Sequence, residues 1–85
     1  MGRLHEESKE RYREKYRLLG LRIAYYRKIR GLTQEQLAEA MGISWSFLSQ
    51  IEANNGTTLK GISLNTLFLL SDTLKIPLVK LFEEE

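Results

Sequence analysis

Cysteine is absent from the 85 residues, which excludes a disulfide framework, a thiolate metal site and a cysteine nucleophile. Histidine occurs once, at His5, and a lone imidazole supplies no metal-ligand set. No cofactor is expected. Ser44 and Ser49 have no histidine near them in sequence to act as an activating base, so no catalytic constellation is visible and the chain does not read as an enzyme. No apolar run exceeds the four residues of Leu67 to Leu70, far short of the roughly 20 that span a bilayer. Residues 1–17 mix both signs of charge and lack the apolar stretch of a secretion signal, so the expectation is a cytoplasmic protein. Proline occurs once, at Pro77, and β-branched residues are scattered. The local preference is therefore helical nearly throughout.

A chain of 9.9 kDa has material for one small domain, since at this length only about 60% of the unfolded surface can be buried. The charge is polarised along it. Residues 1–30 hold ten Lys/Arg against four Glu, a net +6, whereas residues 31–85 hold three Lys against seven acidic groups, a net −4. A basic front can follow phosphates while the acidic back is kept away from them. Lys28 and Arg30, at the end of that front, are the candidate phosphate contacts.

Tyr12, Tyr16, Leu19, Ile23 and Tyr26 repeat at spacings of 4, 3, 4 and 3, which lays one apolar stripe along a first helix ending near Gly31. Gly20 inside it leaves open a break between an N-terminal arm and a shorter helix, because glycine costs roughly 1 kcal/mol relative to alanine there. Thr33 followed by Gln36 matches a capping box, so a second helix starts at Gln34. It carries Leu37, Ala38 and Met41 and stops at Gly42, whose missing Cβ permits a left-handed exit. Ser44 caps a third helix with Phe47, Leu48 and Ile51 on its buried side. Asn54, Asn55 and Gly56 end it. After a loop, Ser63 caps a fourth helix bearing Leu64, Leu67, Phe68, Leu70 and Leu74. Pro77 suits the first turn of a short fifth helix closed by Leu81 and Phe82.

Residues 34–53 form a unit: a helix, a glycine turn and a second helix capped two residues later. Helices joined so tightly cross at a large angle, with the small Ala38 where backbones approach and Leu37, Met41, Ile43, Leu48 and Ile51 as wedges. The runs "GLTQEQLAEAMGIS", "LSQIE" and "IPLVKLF" resemble the lambda-repressor-like, or xenobiotic-response-element-type, helix-turn-helix regulators, over about Leu19 to Phe82. The resemblance implies an all-α, five-helix DNA-binding domain at residues 18–85, here with an N-terminal helical extension or charged arm at residues 1–17. It further implies a transcriptional regulator, most simply a repressor, that reads a palindromic operator on double-stranded DNA as a homodimer.

Matched to that pattern, Gln34 falls on a phosphate-contacting position. Ser44, Trp45, Ser46, Ser49 and Gln50 fall on the exposed face of the recognition helix, with Gln50 suited to adenine. Asn54 and Asn55 fall in a backbone-contacting loop. Arg27 and Glu52 match a structural ion pair between the first and third helices. No Arg or Lys lies on the recognition face, so a preference for A·T-containing positions is expected. Trp45 has alternative uses: a thymine methyl, a phosphate reached by its N–H, or packing against the second helix. The dimer surface is expected around Leu78 and Val79, distal to the basic front, with the stripe from Tyr12 to Leu19 as its rival. The competing function class is an antitoxin or other protein-interaction module, its helix-turn-helix serving autoregulation and its N-terminal arm meeting a protein partner.

Overall fold

The computed structural model describes residues 11–53 and 61–83. These form four α-helices, α1 (Arg13–Ile29), α2 (Gln34–Met41), α3 (Trp45–Glu52) and α4 (Leu64–Leu74), followed by a 3-10 turn at Leu78–Leu81. No strand occurs among the described residues.

Local chemistry sets most of the boundaries. Glu14 and Arg17 are paired on the first turn of α1, with Arg17 Nε and Nη2 donating to the carboxylate at 2.9 and 2.6 Å. These hydrogen bonds, aided by the opposite charge, hold the Glu14 carboxyl below its ordinary range and push the Arg17 guanidinium up. Thr33 Oγ1 accepts from the Gln36 amide while Gln36 Oε1 accepts from the Thr33 amide, so the capping box at the start of α2 is complete. Ser44 and Ser63 cap α3 and α4 in the same manner, accepting from the Phe47 and Thr66 amides.

The fifth helix expected after Pro77 is a single 3-10 turn. The Lys80 amide bonds to the Pro77 carbonyl and the Phe82 amide to that of Val79, both spanning three residues rather than four. At three residues per turn, Leu78 and Leu81 share one side; Leu81 is fully buried and Leu78 partly so. Among the described residues, four α-helices and this turn thus stand in place of the five helices expected. Nor does Gly20 break α1, which runs on through it and through the 17/18 boundary of the expected arm. Residues 1–10 of that arm lie outside the described residues.

One core joins every element. Leu19 and Ile23 of α1, Leu37, Ala38 and Met41 of α2 and Leu48 and Ile51 of α3 meet Leu67, Leu70 and Leu74 of α4 and Leu81 of the turn. The helix α1 lies across α3, where backbones come close at Gly20: a Cβ built there would stand 2.5 Å from the Ile51 carbonyl oxygen and 2.9 Å from that of Glu52. The helix α4 ends at Lys75, a non-glycine residue in the left-handed region with φ 58°.

Candidate nucleic-acid interface

The geometry of α3 follows from its connection to α2. Gly42, at φ +73°, turns the chain out of α2 with its amide bonded to the Glu39 carbonyl, and the Ile43 amide reaches the carbonyl of Ala38. The buried Ala38 leaves room for this return. With Leu48 and Ile51 fully buried and Phe47 packed against the core, the opposite side of α3 faces outward. Ser44, Trp45, Ser46 and Gln50 are exposed there and Ser49 is half-buried. The Gln50 Nε2 donates to Ser46 Oγ at 3.4 Å, a long bond that leaves the amide weakly held.

Beneath this face runs a continuous chain of hydrogen bonds. Arg27 is buried and donates Nε to Glu52 Oε2 at 2.8 Å and Nη2 to Oε1 at 3.0 Å, with Nη1 donating to the Leu32 carbonyl at 2.8 Å. The fork ties the last turn of α1 to the last turn of α3 and to the approach to α2. Gln34 Nε2 donates to the same Glu52 Oε1 at 2.9 Å, and Trp45 Nε1 donates to Gln34 Oε1 at 3.1 Å. Three helices are thereby linked through one carboxylate and one amide.

The remaining sites predicted from sequence are distributed differently. Lys28 is exposed on the last turn of α1. Arg30, expected at a phosphate, instead donates Nε to the Leu74 carbonyl at 2.6 Å and Nη2 to that of Lys75 at 2.8 Å. It closes the C-terminus of α4, where unpaired carbonyls attract a cation. Two of its nitrogens are engaged in this way, while the residue itself is exposed at the surface. Gln34 likewise has both ends of its side-chain amide engaged. Asn54 and Asn55 lie outside the described residues. Leu78 is partly buried and Val79 is 57% exposed, with the exposed Phe82 close by in sequence and Leu21 and Tyr25 exposed on α1. Clefts run between α1 and the turn: Tyr25 and Lys80 line one of them, Tyr16 and Phe82 another.

The helix-closing use of Arg30 had no sequence signal, since its acceptors lie 44 and 45 residues away. Gln34 and Trp45 did carry one: each is the first helical residue after a capping hydroxyl, which puts both at adjoining helix starts. Among the described residues no group of three or more His, Asp or Glu side chains could hold a metal ion. No helix among them is long and apolar enough to cross a membrane.

Comparison with known proteins adds independent findings. The helix-turn-helix family profile matches residues 23–81. Over 36 residues the chain is 53% identical to the uncharacterized HTH-type transcriptional regulator YazB of Bacillus subtilis, a match covering 42% of this chain and 52% of that protein. The chain thus spans about half the length of this curated relative. Among solved structures it is similar to the restriction-modification controller protein C.AhdI from Aeromonas hydrophila, with a TM-score of 0.73 and 28% identity, covering 81% of this chain and 98% of the other. It is also similar to a chain of a SinR protein/SinI protein complex, with a TM-score of 0.68 and 36% identity, covering 78% and 61%.

Proposed function

The chain belongs to the lambda-repressor-like helix-turn-helix family, and from that premise we propose that it binds duplex DNA through the major groove and represses transcription by occupying an operator. The observation that carries this reading is the outward side of α3. It presents Ser44, Trp45, Ser46 and Gln50 to solvent while its inner side is anchored in the core. A helix exposed in this way fits the major groove, and hydroxyl and amide groups suit base edges there. Lys28, exposed on the same basic front, and the amides at the start of α2 serve phosphates. Asn54 and Asn55 complete the backbone contacts.

One copy offers one recognition helix, so a palindromic operator calls for a homodimer with its two α3 helices about 34 Å apart. Leu78 and Val79, together with the exposed Phe82, Leu21 and Tyr25, supply apolar surface for it. The second reading, a protein-interaction module with a partner on the arm at residues 1–17, draws support from the clefts beside α1 and from SinR having been solved with another protein. Removing residues 1–10 separates the two: operator binding persists if the arm serves a partner.

Selection of bound fragments from random duplex DNA tests the main reading. The expected result is enrichment of two related half-sites one helical turn apart. Gln50→Ala then relaxes preference at one position of each half-site while leaving the salt dependence unchanged. Recovery of fragments with no common sequence would refute sequence-specific binding.

A further inference from the structure

Trp45 is half exposed at the first position of α3, yet its one polar group is already satisfied. The Gln34 amide is oriented by its neighbours without ambiguity. Glu52 Oε1 only accepts and must face Gln34 Nε2 at 2.9 Å, whereas the indole N–H only donates and must face Gln34 Oε1 at 3.1 Å. Glu52 is in turn held by both arms of the Arg27 fork. The chain Arg27–Glu52–Gln34–Trp45 therefore starts in a buried ion pair and ends on an exposed ring.

We propose that Trp45 recognises the 5-methyl group of a thymine in each half-site through the carbon surface of its indole, and that Gln34 is the positioning residue that fixes the ring for this contact. The inference rests on the DNA-binding reading above and deepens it. With the N–H directed to Gln34, what the ring presents outward is hydrocarbon. The chemical feature in the major groove that matches hydrocarbon is the thymine methyl. An indole with an unpaired N–H would lose a water hydrogen bond on entering the groove, whereas this one carries its partner with it. Holding the ring in one orientation before binding also lowers the ordering cost of the contact. Gln34, engaged at both ends, acts here through Trp45 and not as a side-chain anchor on phosphate.

Replacing thymine by deoxyuridine removes only the methyl group, so a duplex from the random selection, scanned one thymine at a time, is the probe. Burial of one methyl predicts roughly fourfold weaker binding per half-site and roughly 15-fold when both are changed. Trp45→Ala, at an exposed position that does not disturb the core, is expected to abolish this methyl dependence. Gln34→Ala is expected to reduce it severalfold with the salt slope unchanged, after thermal melting has shown that the variant is folded. Trp45 is the only tryptophan, so its fluorescence reports positioning directly: in the free protein, Gln34→Ala should lower the anisotropy and raise iodide quenching. Binding without a methyl-dependent position, or with one that survives Trp45→Ala, overturns this inference and leaves DNA binding standing. A uniform loss of affinity and of salt slope in Gln34→Ala, with methyl dependence intact, makes Gln34 a phosphate anchor and also overturns it. Failure of the unaltered protein to bind any duplex overturns the parent reading.

Discussion

Gly20→Ala tests the packing of α1 on α3, because helix propensity and tertiary contact predict opposite signs. Alanine in the interior of α1 should favour the helix by about 1 kcal/mol. The new methyl group, however, would lie 2.5 Å from the Ile51 carbonyl oxygen and 2.9 Å from that of Glu52, against an ordinary contact of 3.4 Å or more. Both obstacles are backbone, so no rotamer change relieves them, and α1 must move off the last turn of α3 by about 0.9 Å. Overpacking of this kind costs about 1–3 kcal/mol. The displaced segment includes Glu52, which places the variant at the upper end of that range. The net expectation is a loss of about 1–2 kcal/mol, or a melting temperature lower by roughly 4–16 °C for a domain of this size. Urea unfolding followed by circular dichroism measures it, with Ala40→Gly on the exposed side of α2 calibrating the propensity effect. If Gly20→Ala were as stable as the parent protein or more so, the close approach would be refuted.

Other substitutions address the buried pair, the helix ends and the phosphate contacts. Arg27→Ala leaves Glu52 buried without its fork and should cost about 3–5 kcal/mol, a large part of the stability of so small a domain; Arg27→Lys should recover only a fraction, since an ammonium cannot reproduce the two-pronged bond. Both are read from urea midpoints. Lys75→Gly removes a side chain from the left-handed end of α4, at φ 58°, and should raise stability by about 0.5–1 kcal/mol in the same assay. Lys28→Ala should reduce the log–log salt slope of DNA binding by about 0.9. Arg30→Ala should leave that slope unchanged and lower stability by about 1–2 kcal/mol through its lost bonds to the end of α4.

What could be read from the sequence was whatever depends on near neighbours. Thr33 and Gln36 sit three residues apart, and their reciprocal hydrogen bonds need nothing beyond one helical turn. Ser44, Ser63 and Gly42 are equally local, and all occupy the ends expected of them. The inward sides of α2 and α3 followed from apolar spacing, so the outward side of α3 was implied by subtraction; on α4 Leu67, Leu70 and Leu74 are buried, whereas Leu64 and Phe68 of the same apolar set are exposed. The short stretch after Pro77 was harder, because bonds spanning three or four residues differ little in what they ask of four side chains. At Lys75 there was no glycine to announce the left-handed exit.

The sequence by itself determined where α2, α3 and α4 begin, the glycine turn and the buried sides of α2 and α3, because helix periodicity and capping act within a few residues. Only the tertiary structure decided the meaning of Gly20, Arg30 and Trp45. Gly20 is a point of contact between helices and not a break, Arg30 closes a helix from 44 residues away, and the indole of Trp45 is tied through Gln34 to a buried carboxylate. Each of these depends on where one helix crosses another, and that crossing is set by the whole core at once.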